Sequence, residues 1–204
     1  LRPCVSVVYA ARAPCEVDPA KCADPAEVRR AWRILLARAS GLWSDVCRSA
    51  DACPEALRKL LSCVRSEVGK TLGDGHPAAL KAVSGLYFLR FLGPALQFPH
   101  LCGVMLEAPS EAAARTLTLL TKSLIQLTNL EGFGHKEPYM AEMDEAFVQP
   151  NMPATRELLN SISEPSSREG EGGAAAILFP PPPNELRRRL ASLSAALRRH
   201  GEDV

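Results

Sequence analysis

GLYFLRFLGPALQFPHLCGVMLEAPSEAAARTLTLLTKSLIQLTN, residues 85–129, decides the fold. Its second half opens on Pro109-Ser110, a helix start in which the Ser110 hydroxyl can cap the first free amides. From Glu111 onward Ala113, Leu117, Leu120, Leu124 and Leu127 recur at helical spacing and predict one buried face. At ~100° per residue, Arg115, Thr118, Lys122, Gln126 and Asn129 gather within a sector of roughly 80° on the other side. That polar stripe carries one sign of charge and ends in two carboxamides. An ordinary solvated face fits the periodicity, and so does a recognition strip in which Lys122 offers a charge and Gln126 and Asn129 offer donors and acceptors.

The first half predicts a helix from about Pro77 to Leu92 that is apolar on most sides, with Arg90 set among Phe88, Leu89, Phe91 and Leu92. Burying an unpaired guanidinium is prohibitive, so Arg90 either snorkels to the surface or meets a partner. Its planar donor fork suits holding backbone carbonyls or a carboxylate. Gly93-Pro94 is expected to end or kink this helix, because proline lacks a donor and disfavours the α conformation before it.

Outward from this pair, the chain reads as more helices. Leu1 to Ala13 looks like the end of a helix whose beginning is missing, followed by a Pro-flanked loop through Cys15–Cys22. Asp24-Pro25 gives a cap and a first-turn proline for a helix to about Ser49. Pro54-Glu55 starts another, ending near Gly73, and Gly75-His76-Pro77 breaks the chain before the central pair. Pro138 is expected to open a short helix to Val148, and Pro153 another to about Ser163. No useful strand alternation is present, so the fold class is all-α. Residues 164–183 combine Ser, Gly and Glu with four consecutive prolines and read as a flexible linker passing into a stiff spacer. Residues 184–204 predict a last amphipathic helix, with Leu186, Leu190, Leu193 and Leu197 in one stripe. The expected division is therefore a helical domain over 1–163, a linker over 164–183 and a terminal helix over 184–204.

Composition excludes several function classes. A net charge of +1 over 204 residues gives no footing for nonspecific nucleic-acid or membrane adhesion. No apolar run reaches the roughly 18 residues of a membrane span. Seven cysteines in no small-scaffold pattern fit reduced thiols in a cytoplasmic protein. Gly69-Lys70-Thr71 has the tail of a phosphate loop, but Val64 stands where its first glycine belongs. His76, His100, His135 and His200 are scattered, and the His100/Cys102 pair lacks a second pair at zinc-ligand spacing. The expectation is no metal, no cofactor and no catalysis of the chain's own.

Four segments in order resemble the RasGAP family, the Ras GTPase-activating domains, and its synaptic and p120-type members in particular. Phe88–Leu96, FLRFLGPAL, is similar to the family's FLR-x-x-x-PA signature. Arg115-Thr116-Leu117 with Lys122, Gln126 and Asn129 resembles its RTL…K-x-x-x-Q-x-x-N helix. FGHKEPYM, Phe133–Met140, resembles FG-x-KE-x-YM, and CEVDPAKC, Cys15–Cys22, resembles CE-x-x-P-x-K. Thr128 departs from the pattern, which usually has Ala there. The likeness covers about residues 1–163 and implies an irregular helical bundle that grips the switch regions of a GTP-loaded Ras-type G protein. It implies that Arg90 braces an arginine-finger loop, that Leu89 presses on the partner, and that Lys122, Gln126 and Asn129 line the receiving groove with Lys136 and Glu137 near its rim. It implies a cytoplasmic protein, recruited to the inner face of the plasma membrane through other regions. The finger itself is expected upstream of Leu1; Arg2 and Arg12 fall on or after the helix that follows it, and a fragment of a longer protein accounts for this better than a lost residue.

Overall fold

Caps and prolines set where the helices begin. In the computed structural model, which describes residues 1–11, 13–129 and 138–164, α1 spans Arg2–Tyr9 and α2 spans Pro25–Arg48. Asp24 Oδ1 accepts the Ala26 amide at 2.8 Å, so α2 starts where the sequence places it. A short 3-10 turn at Ala50–Ala52 leads to α3, Glu55–Leu72, which stops on Gly73 at φ 100°, a region that favours glycine. α4, Pro77–Ser84, is capped by His76, whose Nδ1 accepts the Ala78 amide at 3.2 Å. The breaker before the central pair is thus also a cap.

The helix does not end at Gly93-Pro94. The chain stays helical from Pro77 to Gln97, through α4, a wide π-helical segment at Gly85–Leu92, and α5 at Gly93–Gln97. Gly93 keeps helical angles (φ −58°, ψ −54°), and its amide reaches back five residues to the Phe88 carbonyl. A residue before proline avoids this conformation partly because its Cβ meets the proline ring, and glycine has no Cβ. Pro94 then falls in the first turn of α5, where a missing donor is tolerated.

α6 spans Glu111–Thr128, with Ser110 Oγ accepting the Ala113 amide at 3.2 Å. A 3-10 turn at Pro138–Met140, the single-turn α7 at Ala141–Met143 and a second wide segment at Asp144–Val148 then run into α8, Gln149–Ser163. Pro153 does not open a helix, as the sequence suggests; it lies inside α8, which starts four residues earlier with Pro150 in its first turn. The wide segment has already offset the hydrogen-bond ladder there, the Gln149 amide bonding the Asp144 carbonyl. Asn151 Nδ2 supplies a further donor to the Phe147 carbonyl at 2.7 Å.

α6 is the centre of the bundle and packs on α1, α2, α5 and α8. Its five predicted apolar positions are all buried, but so are Leu119 and the hydroxyl-bearing Thr116, Thr121, Ser123 and Thr128. The single stripe in the sequence therefore understates the burial of this helix. Thr116, Ser123 and Thr128 escape the cost of burial by donating to the carbonyls of Ala112, Leu119 and Leu124. Among the described residues there is no strand, and no helix is long and apolar enough to cross a membrane. Arg12, Lys136, Glu137, the linker beyond Glu164 and the predicted terminal helix lie outside the described residues.

Candidate partner-binding groove

Wide turns carry more residues than α-turns, and that changes which side chains face out. Along Gly85–Leu92 the buried positions Tyr87 and Phe88 repeat five residues on, at Leu92 and Gly93, leaving Leu89, Arg90 and Phe91 exposed together. In a regular helix Phe91 would lie over Tyr87 and Phe88, within the core face. Phe88 packs instead against Trp43 and edge-on to Tyr87, with ring centroids 6.2 and 4.9 Å apart. Phe91 lies against Tyr87 from outside at 6.2 Å.

A groove of about 420 Å³ separates this helix from α6. Leu89, Pro94 and Phe98 form one wall, and Lys122, Ile125 and Gln126 the other. Gly93 lets the walls approach, since a Cβ there would lie 2.9 Å from the Phe88 carbonyl oxygen and 3.2 Å from Ile125 Cδ1. Leu89 and Phe98 are about half exposed, at 49% and 47%. The groove is thus apolar in body, with an ammonium and a carboxamide on one side.

Of the residues expected to form a site, the fold brings Leu89, Lys122 and Gln126 into this groove. Arg90 and Asn129 are not among those lining it. Arg90 is exposed, and its Nη1 donates to the Gly85 carbonyl at 3.3 Å, so the guanidinium resolves its apolar surroundings by reaching the surface and taking a backbone acceptor. Asn129 caps the end of α6, its amide bonded to the Ile125 carbonyl at 2.9 Å. Lys122 Nζ stands 3.5 Å from the Tyr139 hydroxyl.

Arg115, grouped by periodicity with the polar stripe, belongs to a different device. Its Nε and Nη2 donate to the two carboxylate oxygens of Glu16 at 2.8 and 2.7 Å. Both side chains are largely buried, at 21% and 15% exposed. Burial pushes the Glu16 carboxyl up, but the Arg115 fork and the Asp18 amide together outweigh it and hold the group below its ordinary range. The Cys15 amide donates to Thr116 Oγ1 at 3.0 Å beside this pair. The loop after α1 is therefore clamped to the N-terminal part of α6. Both ends of the clamp stand in motifs legible in the sequence, but nothing in the spacing couples positions 16 and 115. No group of three or more His, Cys, Asp or Glu side chains suited to a metal occurs among the described residues.

The profile of the RasGAP family, described as GTPase-activator protein for Ras-like GTPase, matches residues 12–129. The chain belongs to the RasGAP family. It is 34% identical over 137 residues to Ras GTPase-activating protein 1 of Rattus norvegicus, a match covering 67% of this chain and 13% of that protein. It is 34% identical over 164 residues to RAS protein activator like-3 of Mus musculus, covering 78% and 15%. It is 30% identical over 162 residues to the probable Ras GTPase-activating-like protein ngap of Dictyostelium discoideum, covering 79% and 18%. The chain thus spans less than a fifth of each of these relatives. Both walls of the groove, the Glu16–Arg115 clamp and the wide segment with Arg90 fall within the stretch that matches the RasGAP profile.

Proposed function

We propose that the groove receives the switch regions of a GTP-loaded Ras-type G protein, and that the chain forms part of a GTPase-activating domain that promotes hydrolysis by its partner. The observation that carries this is the meeting of Leu89, Lys122 and Gln126 across one groove in a RasGAP domain. Leu89 supplies apolar area, Lys122 a charge that favours an acidic partner surface, and Gln126 a donor and an acceptor for main-chain groups. Hydrolysis in such a pair is stabilised by an arginine supplied in trans, which offsets charge developing on the transferred phosphoryl group. Arg90, exposed and stiffened by the Gly85 carbonyl, is suited to brace the loop that carries it. By family likeness the protein works in the cytoplasm with recruitment to the inner face of the plasma membrane by other regions.

Within the chain, Arg2 is held to the Val104 carbonyl at 3.0 Å and is not poised to act as the finger. The expected behaviour of these 204 residues is therefore binding to GTP-loaded Ras with little acceleration of hydrolysis. Binding to Ras carrying a non-hydrolysable GTP analogue, together with single-turnover hydrolysis, tests both halves. Lys122→Ala should weaken binding roughly five- to twenty-fold, mostly through slower association at low salt. An unchanged affinity removes the groove from the interface. A second reading, a module that holds a G protein without activating it, is favoured by the engagement of Arg2; a longer chain that binds tightly and still fails to accelerate hydrolysis would decide for it.

A further inference from the structure

Helix α6 carries five side-chain hydroxyls, and four of them follow one rule. Thr116, Thr118, Ser123 and Thr128 each donate to the carbonyl four residues back, at 2.9 to 3.1 Å. Thr121 does not. Its Oγ1 is buried without a hydrogen-bond partner among the described residues, although the residue is only 7% exposed and lines the groove beside Lys122. A buried hydroxyl left unmade costs stability, and an apolar residue of the same shape would not incur that cost.

We propose that Thr121 is a specificity-determining residue of the groove, whose hydroxyl donates to a main-chain carbonyl oxygen of the bound partner. The inference rests on the partner-binding reading of the groove given above. A neutral hydroxyl suits a neutral carbonyl; a carboxylate would be drawn to the ammonium of Lys122 rather than buried next to Thr121. The oxygen is screened from solvent, so engagement takes a turn about χ1, a step between staggered positions open to threonine. The subsite would select against partners that present an apolar side chain at this depth.

The test compares Thr121→Val, Thr121→Ser and Lys122→Ala in the 204-residue chain, reading affinity for Ras loaded with a non-hydrolysable GTP analogue and, separately, Tm. Thr121→Val removes the hydroxyl at constant shape, and should weaken binding roughly five- to fifty-fold by leaving the partner carbonyl unpaired. Its Tm should hold or rise, and Thr121→Ser should bind within about threefold of the unsubstituted chain. Such a split between affinity and stability is not what a structural role produces. Unchanged binding in Thr121→Val alongside weakened binding in Lys122→Ala overturns this inference and leaves the groove assignment standing. Parallel losses of Tm and affinity in Thr121→Val overturn it as well. Absence of binding by the unsubstituted chain, or indifference to both substitutions, overturns the groove reading and this inference with it.

Discussion

At the scale of single residues, the largely buried clamp between Arg115 and Glu16 ties the loop after α1 to α6. Two parallel donors on two acceptor oxygens fix orientation as well as distance, and a lysine cannot reproduce that fork. Arg115→Lys should cost about 1–3 kcal/mol in urea unfolding, because Glu16 keeps its partial burial and loses matched donors. The pH dependence has a definite sign. Glu16 is held below its ordinary value of 4.5, so its contribution is complete above that value and is lost as pH falls through the lower value of the folded state. Glu16→Gln should therefore flatten the acid limb of the stability profile, and an unaltered limb would show that the pair carries no net stabilisation. Reading the sequence alone places Arg115 on the polar stripe of α6, because a helical wheel knows neighbours three and four positions away and nothing of a carboxylate 99 positions off.

At the scale of elements, starts were legible and interruptions were not. Asp24, Ser110 and the prolines that follow or precede them signal helix beginnings by local chemistry, one hydroxyl or carboxylate meeting an orphan amide. Pro94 looks like a stop or kink and Pro153 like a start for equally local reasons, yet each sits in a continuous helix next to a wide turn. Whether a turn widens is settled by packing across the bundle, which spacing along the chain does not encode. Gly93 shows the competition in one position. Alanine is the better helix former by about 1 kcal/mol. Its Cβ, however, would press on the Phe88 carbonyl oxygen at 2.9 Å, backbone that cannot swing away, and on Ile125 across the groove. Overpacking of this kind costs about 1–3 kcal/mol, so Gly93→Ala should lower stability in thermal denaturation. A more stable variant would mean that the two walls are not in tight contact.

At the scale of the whole molecule, the all-α class and a core built around α6 were readable because leucine and alanine recur there at helical spacing. The groove was half readable: Lys122 and Gln126 share an edge by periodicity alone, whereas no spacing along the chain brings Leu89 of the opposing helix to them. Arg90 and Asn129 stand outside the lining, and the support role for Arg90 is part of the proposal. In a longer version of the protein that accelerates hydrolysis, Arg90→Ala should lower the maximal rate far more than the affinity, since a brace acts chiefly in the transition state. Equal losses in both would make it a contact residue after all. One extra residue in a turn also rotates everything beyond it by about 100° relative to a regular helix. Beyond Phe88 the chain is consequently out of step with any wheel drawn from Pro77, so a designer who grafts or scores this helix on an ideal template will put Arg90 and Phe91 in the wrong compartments.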